Sequence, residues 1–95
     1  MDNIEVQELR KIISNINLID IRDKEIFDLG HIRNAKNIPM SELLNNYKEL
    51  LHEHERYYIY CNSGINSKKV CTILNNKGID VINVNGGYNE WKEKH

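Results

Sequence analysis

Short runs of β-branched and aromatic residues alternate along the chain with stretches whose apolar positions recur every few residues. The first pattern marks buried strands and the second amphipathic helices. Ile4 to Val6 predicts a brief opening strand, after which Val6, Leu9, Ile12, Ile13 and Ile16 follow at helical spacing. Asn17 to Ile21 (NLIDI) reads as a buried strand. Asp23 is placed to cap the short helix that comes next, with Ile26, Phe27 and Leu29 expected to point inward and Gly30 to end it. Ala35 to Pro39 is another brief strand, stopped by the only proline.

Ser41 is the expected cap of a longer helix, whose Leu43, Leu44, Tyr47, Leu50 and Leu51 form one apolar face. Tyr57 to Cys61 (YYIYC) is the most strand-like run in the chain. A helix from about Asn66 to Lys77 is predicted after it, with Val70, Cys71, Ile73 and Leu74 apolar and Gly78 at its end. Val81 to Val84 is a last strand, and Gly86-Gly87 turns the chain into a terminal helix that buries Tyr88 and Trp91. Strands alternating with helices imply right-handed crossovers. The predicted fold is α/β, a parallel sheet of about five strands with helices on both faces.

A chain of 95 residues predicts one domain, residues 1–95, with a single modest core. Hydrophobic residues make up 40% and charged residues 28%, an ordinary globular balance. Thirteen basic against 14 acidic side chains give a net charge of -1, so neither nucleic acid nor an anionic membrane is an expected partner. The opening MDNIEVQELRKI lacks a positive region followed by an apolar stretch, and no apolar run approaches membrane-spanning length. A cytoplasmic location is therefore expected. Cys61 and Cys71 do not form a C-x-x-C pair, which argues against zinc or a redox couple and for two free thiols.

Cys61 stands at the carboxyl end of a predicted strand, the edge where open parallel sheets bind ligands. The loop behind it, Asn62, Ser63, Gly64, Ile65, Asn66 and Ser67, has little bulk and leads into a helix. Amides in such a loop lack strand or helix partners, and if it curls they converge on the sulfur. That arrangement stabilises a thiolate and turns a weak nucleophile into a usable one. Gly64 permits the tight curl. The plainer reading is a buried cysteine packing as a small hydrophobe, but a simple connection would not need to wrap a sulfur so closely.

These stretches together resemble the single-domain rhodaneses, the thiosulfate sulfurtransferase-like domains, over about Ile4 to Trp91. LIDIRDKEIFDLGHIRNAKNIP is similar to the family's Asp-Val-Arg strand end, short helix, Gly-His-Ile and Ala-x-Asn-Ile-Pro. YCNSGINS resembles its active-site loop, and VINVNGGYNEW its Gly-Gly turn and tryptophan helix. The resemblance implies that Cys61 takes a sulfane sulfur from a small donor, thiosulfate or a persulfide, and holds it as a persulfide. It would then pass the sulfur to a nucleophile such as a protein thiol. No metal or organic cofactor is implied.

The loop departs from the family in charge. Arginine is usual two residues before and two residues after the glycine, where this chain has Asn62 and Asn66. A charge-assisted hydrogen bond contributes roughly 1.5–3 kcal/mol against about 1 for a neutral one, so thiosulfate should bind about tenfold less well. Lys68 and Lys69 follow on the helix, where a solvated face is the favoured reading. Arg33-Asn34 replaces the family's Pro-Gly, and Asn34 tolerates a positive φ.

Arg22 is a candidate cation at the pocket rim, although an ion pair with Asp23, Glu25 or another acid is the favoured reading. Asp20 is expected to hold loop backbone. His31 reads as a turn anchor, and His52 and His54 fall on different helix faces, which disfavours a metal site. His95 is uninformative, and Cys71 is expected in the core. Phosphatase or arsenate-reductase chemistry would need a clamping arginine where the chain has Ser67 and Asn66. A non-catalytic binding or sulfur-relay module is the remaining alternative.

Overall fold

All strand pairing in the structure is parallel, and five strands join in the order β1-β5-β4-β2-β3. The structure is a computed structural model, and it describes residues 2–94; His95 lies outside them. The elements run β1 (Asn3–Ile4), α1 (Val6–Ile12), a 3-10 turn (Ile13–Asn15), β2 (Asn17–Asp20), α2 (Lys24–Leu29) and β3 (Ala35–Asn37). They continue with α3 (Met40–Leu50), β4 (Arg56–Tyr60), α4 (Ile65–Asn76), β5 (Asp80–Val84) and α5 (Gly87–Glu93). The expected α/β sheet is thus the observed one. Among the described residues no helix is long and apolar enough to cross a membrane.

The period of two along the central strands divides their side chains between two cores. Tyr57, Ile59 and Cys61 face one side, where Leu43 of α3 and Val70, Cys71 and Leu74 of α4 meet them. Tyr58 and Tyr60 face the other, against Val6, Leu9 and Ile13 with Tyr88 and Trp91 of α5 partly covering them. Each fully buried side chain of this kind contributes roughly 1.5–3 kcal/mol before conformational entropy is counted. Because the strands are buried on both faces, they read as continuous apolar runs.

Several local expectations are corrected. Val6 starts α1 rather than ending β1, and Ile13 lies in the 3-10 turn. Leu29 points outward at 85% exposure, Ile26 is 41% exposed, and Phe27 stacks on His31 instead of entering the core. Six residues of helix span less than two turns, too few for apolar spacing to define an inward face. Asp23 does occupy the position before α2, but its carbonyl rather than its side chain accepts the first amides. Helix α3 begins at Met40, after Pro39, so Ser41 lies inside it and makes no cap. Ile73 is 43% exposed on the outer face of α4. Asn34 does take a positive φ of 72°.

The strand order reverses direction between β2 and β4. Chain leaving β2 goes outward to β3, while β4 returns on its other side and β5 follows beyond. The connections that leave β2 and β4 therefore diverge, and a crevice opens beyond the carboxyl ends of the two paired strands. Arg22 follows one of these strands and Cys61 the other.

Candidate active site

Cys61 comes one residue after β4 and is 5% exposed, with Asn62 to Gly64 connecting it to α4. Two backbone amides point at its sulfur: Gly64 N–H donates at 3.2 Å and Ser67 N–H at 3.3 Å. The aim of the loop is set from outside it. The Cys61 and Asn62 carbonyls each accept from a first-turn amide of α5, Tyr88 N–H and Asn89 N–H, at 2.9 Å. A trans peptide points its N–H opposite its C=O, so these bonds turn the Asn62 and Ser63 amides away from α5, and the Ser63 amide joins the donors that favour the Cys61 thiolate. The same bonds satisfy α5 amides that have no intrahelical acceptor.

Two glycines make this packing feasible. Gly64 has a φ of +92°, and a Cβ there would stand 3.0 Å from the Gly86 nitrogen. Gly87 has a φ of +56°, and its Cβ would fall 2.3 Å from the Cys61 carbonyl oxygen. Only glycine allows α5 to approach the loop backbone so closely.

The Cys61 thiol is held below its ordinary range. Burial works against this by disfavouring the charged form. The amides of Ser67, Gly64 and Ser63, joined by the Ser67 hydroxyl when it is turned toward the sulfur, together outweigh it. The second thiol is the opposite case. Cys71 is 3% exposed on the apolar face of α4, and burial, followed by the proximity of Cys61 and Asp2, pushes it up to about 12.

A cleft of about 310 Å³ opens beside the sulfur. Asn62, Ser63 and Asn66 line it from the loop, Ile21, Arg22 and Asp23 from the end of β2, and Ile26 and Met40 from the flanking helices. The loop residues predicted from sequence thus divide three ways. Gly64 and Ser67 reach the sulfur, Asn62, Ser63 and Asn66 border the cleft, and Ile65 turns outward at 64% exposure. Ile65 borders a second groove with Lys68 and Lys69, which do not line the cleft beside Cys61.

Arg22 is at the rim and in an ion pair at once, but its partner is Asp20 rather than Asp23 or Glu25. The guanidinium is 2.7 Å from Asp20 Oδ2, donates to the Gly30 carbonyl at 2.8 Å and to Asn62 Oδ1 at 3.2 Å, and lies over the Tyr88 ring. Asp20 is fully buried and also accepts the Arg22 backbone N–H at 2.9 Å, the loop-holding role expected of it. With every face engaged, Arg22 fixes Asn62 and presents a neutralised pair to the cleft. His31 is exposed; its ring contacts the Ile32 carbonyl and stacks on Phe27, and it does not line the cleft beside Cys61.

Three features escaped the sequence: Asn83 beside Ser67, the Tyr88 and Asn89 amides behind the loop, and Met40 in the cleft wall. A polar residue in the apolar strand VINV was the one available sign of the first. The amides leave none.

The family model of the Rhodanese-like domain matches residues 5–94. The thiosulfate sulfurtransferase GlpE of Coxiella burnetii is 31% identical, over 100% of this chain and 88% of its own. A putative sulfur carrier protein of Bacillus subtilis, YrkF, is 32% identical over 84% of this chain and 43% of its own. Among solved structures, a rhodanese-related protein from Thermoplasma volcanium superposes with a TM-score of 0.90 at 29% identity, covering 99% of this chain and 93% of that one.

Proposed function

The chain belongs to the rhodanese-like domain family, and on that premise we propose that it is a sulfurtransferase in which Cys61 carries sulfane sulfur as a persulfide. The observation that carries this reading is the convergence of the Gly64 and Ser67 amides on a sulfur at a strand end. Such donors stabilise a thiolate as nucleophile and a persulfide anion as intermediate without a general acid.

In the loading step the Cys61 thiolate attacks the outer sulfur of the donor. A Cys61 S–S bond forms, the donor's own bond to that sulfur breaks, and its electron pair leaves with sulfite or a thiolate. In the discharge step an acceptor thiolate attacks the outer sulfur of the persulfide, takes it, and returns Cys61 as thiolate. Charge and electrons balance in each step, and no external oxidant or reductant enters.

The cleft argues for a donor of low charge. Its one cation among the described residues, Arg22, is neutralised by Asp20, and Asp23 adds a carboxylate. A small or protein-borne persulfide fits this surface better than dianionic thiosulfate. The exposed side chains of Ile26 and Leu29 border a groove shared with Arg22, Asn62 and Lys92, and an acceptor protein would dock there with its thiol reaching into the neighbouring cleft at Cys61. Cytoplasmic work with thiol acceptors is the setting proposed. The same lack of loop cations supports a second reading, a non-catalytic binding or relay module with little thiosulfate turnover.

Intact-protein mass spectrometry after exposure of the reduced protein to thiosulfate, and separately to a small-molecule persulfide, tests the proposal. The expected result is a gain of one sulfur atom at Cys61 with the persulfide and weaker loading with thiosulfate. No gain with either would overturn it in favour of the binding module.

A further inference from the structure

The Ser67 hydroxyl has one proton, and two acceptors compete for it. Asn83 Oδ1 lies 2.5 Å from Ser67 Oγ, and Cys61 Sγ lies 3.4 Å from the same oxygen. Ser67 and Asn83 are 0% and 2% exposed, so bulk solvent does not share in the exchange. A hydroxyl that donates to Asn83 offers Cys61 only a lone pair. The thiol must then be the donor, with S–H directed to Ser67 and Ser67 O–H directed to Asn83. A thiolate needs the reverse from this group, because it has no proton to give and gains from the hydroxyl only when the O–H is turned toward it.

The far side of the Asn83 amide fixes its orientation. Its Nδ2 faces three oxygens, Asn3 Oδ1 at 3.4 Å, Asn85 Oδ1 at 3.4 Å and the Gly64 carbonyl at 3.5 Å. Asn85 gives its own Nδ2 to Glu5 Oε2 at 2.7 Å, which keeps its oxygen on Asn83. Turning Asn83 over would set its oxygen against the Gly64 carbonyl, which cannot become a donor. Strand alternation puts Asn83 on the same face of β5 as Val81, toward α4.

We propose that Asn83 is a positioning residue for Cys61, acting through the Ser67 hydroxyl to hold the resting sulfur as a hydrogen-bond donor and to restrain its ionisation. The backbone amides then carry most of the stabilisation of the anion, and Ser67 contributes only once its hydroxyl leaves Asn83. The inference rests on Cys61 as the reacting sulfur of the proposed function and is independent of the sulfur donor.

The test is the pH profile of iodoacetamide alkylation at Cys61, read by peptide mass spectrometry. Asn83→Leu should move the midpoint to lower pH and speed alkylation at neutral pH about threefold to tenfold. Asn83→Asp, a stronger acceptor for Ser67, should move it upward and slow alkylation about tenfold. In a Ser67→Ala background the Asn83→Leu shift should vanish. An unchanged or raised midpoint in Asn83→Leu, or a shift of the same size without Ser67, would overturn the proposal. If Asn83→Leu does not fold, Asn83→Asp decides: an upward shift that shrinks without Ser67 supports the relay, and one that persists whole defeats it. Iodoacetamide needs no sulfur donor, so a protein that fails to load sulfur but shows these shifts refutes the proposed function alone.

Discussion

Cys61 and Cys71 occupy the same core cluster, at 5% and 3% exposure, yet their thiols are shifted in opposite directions. Burial raises both. Cys61 also has two amides within 3.3 Å and the Ser67 side chain beside it, at the start of α4. Cys71 sits further along the same helix, where the amides are already bonded to carbonyls of the preceding turn. A helix thus offers unbonded donors only in its first turn, and a few residues decide whether a buried cysteine has its thiolate stabilised or disfavoured. Desolvation alone makes a thiol inert; the donors make the site.

The largest difference between the two thiols is expected in sulfur loading. Cys61→Ser should abolish the added sulfur in intact mass spectrometry, and Cys71→Ser should keep it. Loading that survives in the first variant would move the reactive sulfur elsewhere. A second break comes from behind the loop. In Gly87→Ala, a Cβ at 2.3 Å from the Cys61 carbonyl should push α5 away and release the amide orientation. Strain of about 1–3 kcal/mol is expected there, together with at least a tenfold slower loading rate. A Gly87→Ala protein that loads sulfur at the original rate would show that α5 does not aim the cradle.

The smallest effect sharpens the picture instead of breaking it. Asn66→Arg adds a cation to the cleft beside Cys61 without touching Cys71. Thiosulfate turnover should rise by about tenfold through one charge-assisted hydrogen bond. Unchanged or reduced turnover would mean that donor binding does not limit the reaction.

The sheet and its flanking helices were legible because strands buried on both faces and one-sided helices leave continuous and periodic apolar patterns. The place of Cys61 at a strand end, facing loop amides, was legible for a related reason: a thiol at a joint between a strand and a small-residue loop is a local signal. Helix α2 was misread because its apolar residues cover a loop and a cleft rim rather than the core. Arg22 illustrates a different limit. Its partner Asp20 was named as a holder of loop backbone, but the pairing depends on Arg22 folding back over Tyr88, which adjacency in sequence does not reveal. Asn83 and Ser67 are far apart in sequence, and a strand asparagine declares no partner. The Tyr88 and Asn89 contribution is made by backbone, and no side-chain pattern encodes it.

The most direct test of the central claim is the alkylation rate of both cysteines in the unmodified protein, measured side by side across pH. The loop donors hold the Cys61 thiol below its ordinary range, while burial pushes Cys71 up to about 12. Since only thiolate reacts, Cys61 should alkylate clearly faster than Cys71 at neutral pH, with its rate levelling off at a pH where that of Cys71 is still climbing. Equal midpoints for the two thiols, or a Cys61 midpoint above the ordinary range, would contradict the claim that loop amides outweigh burial.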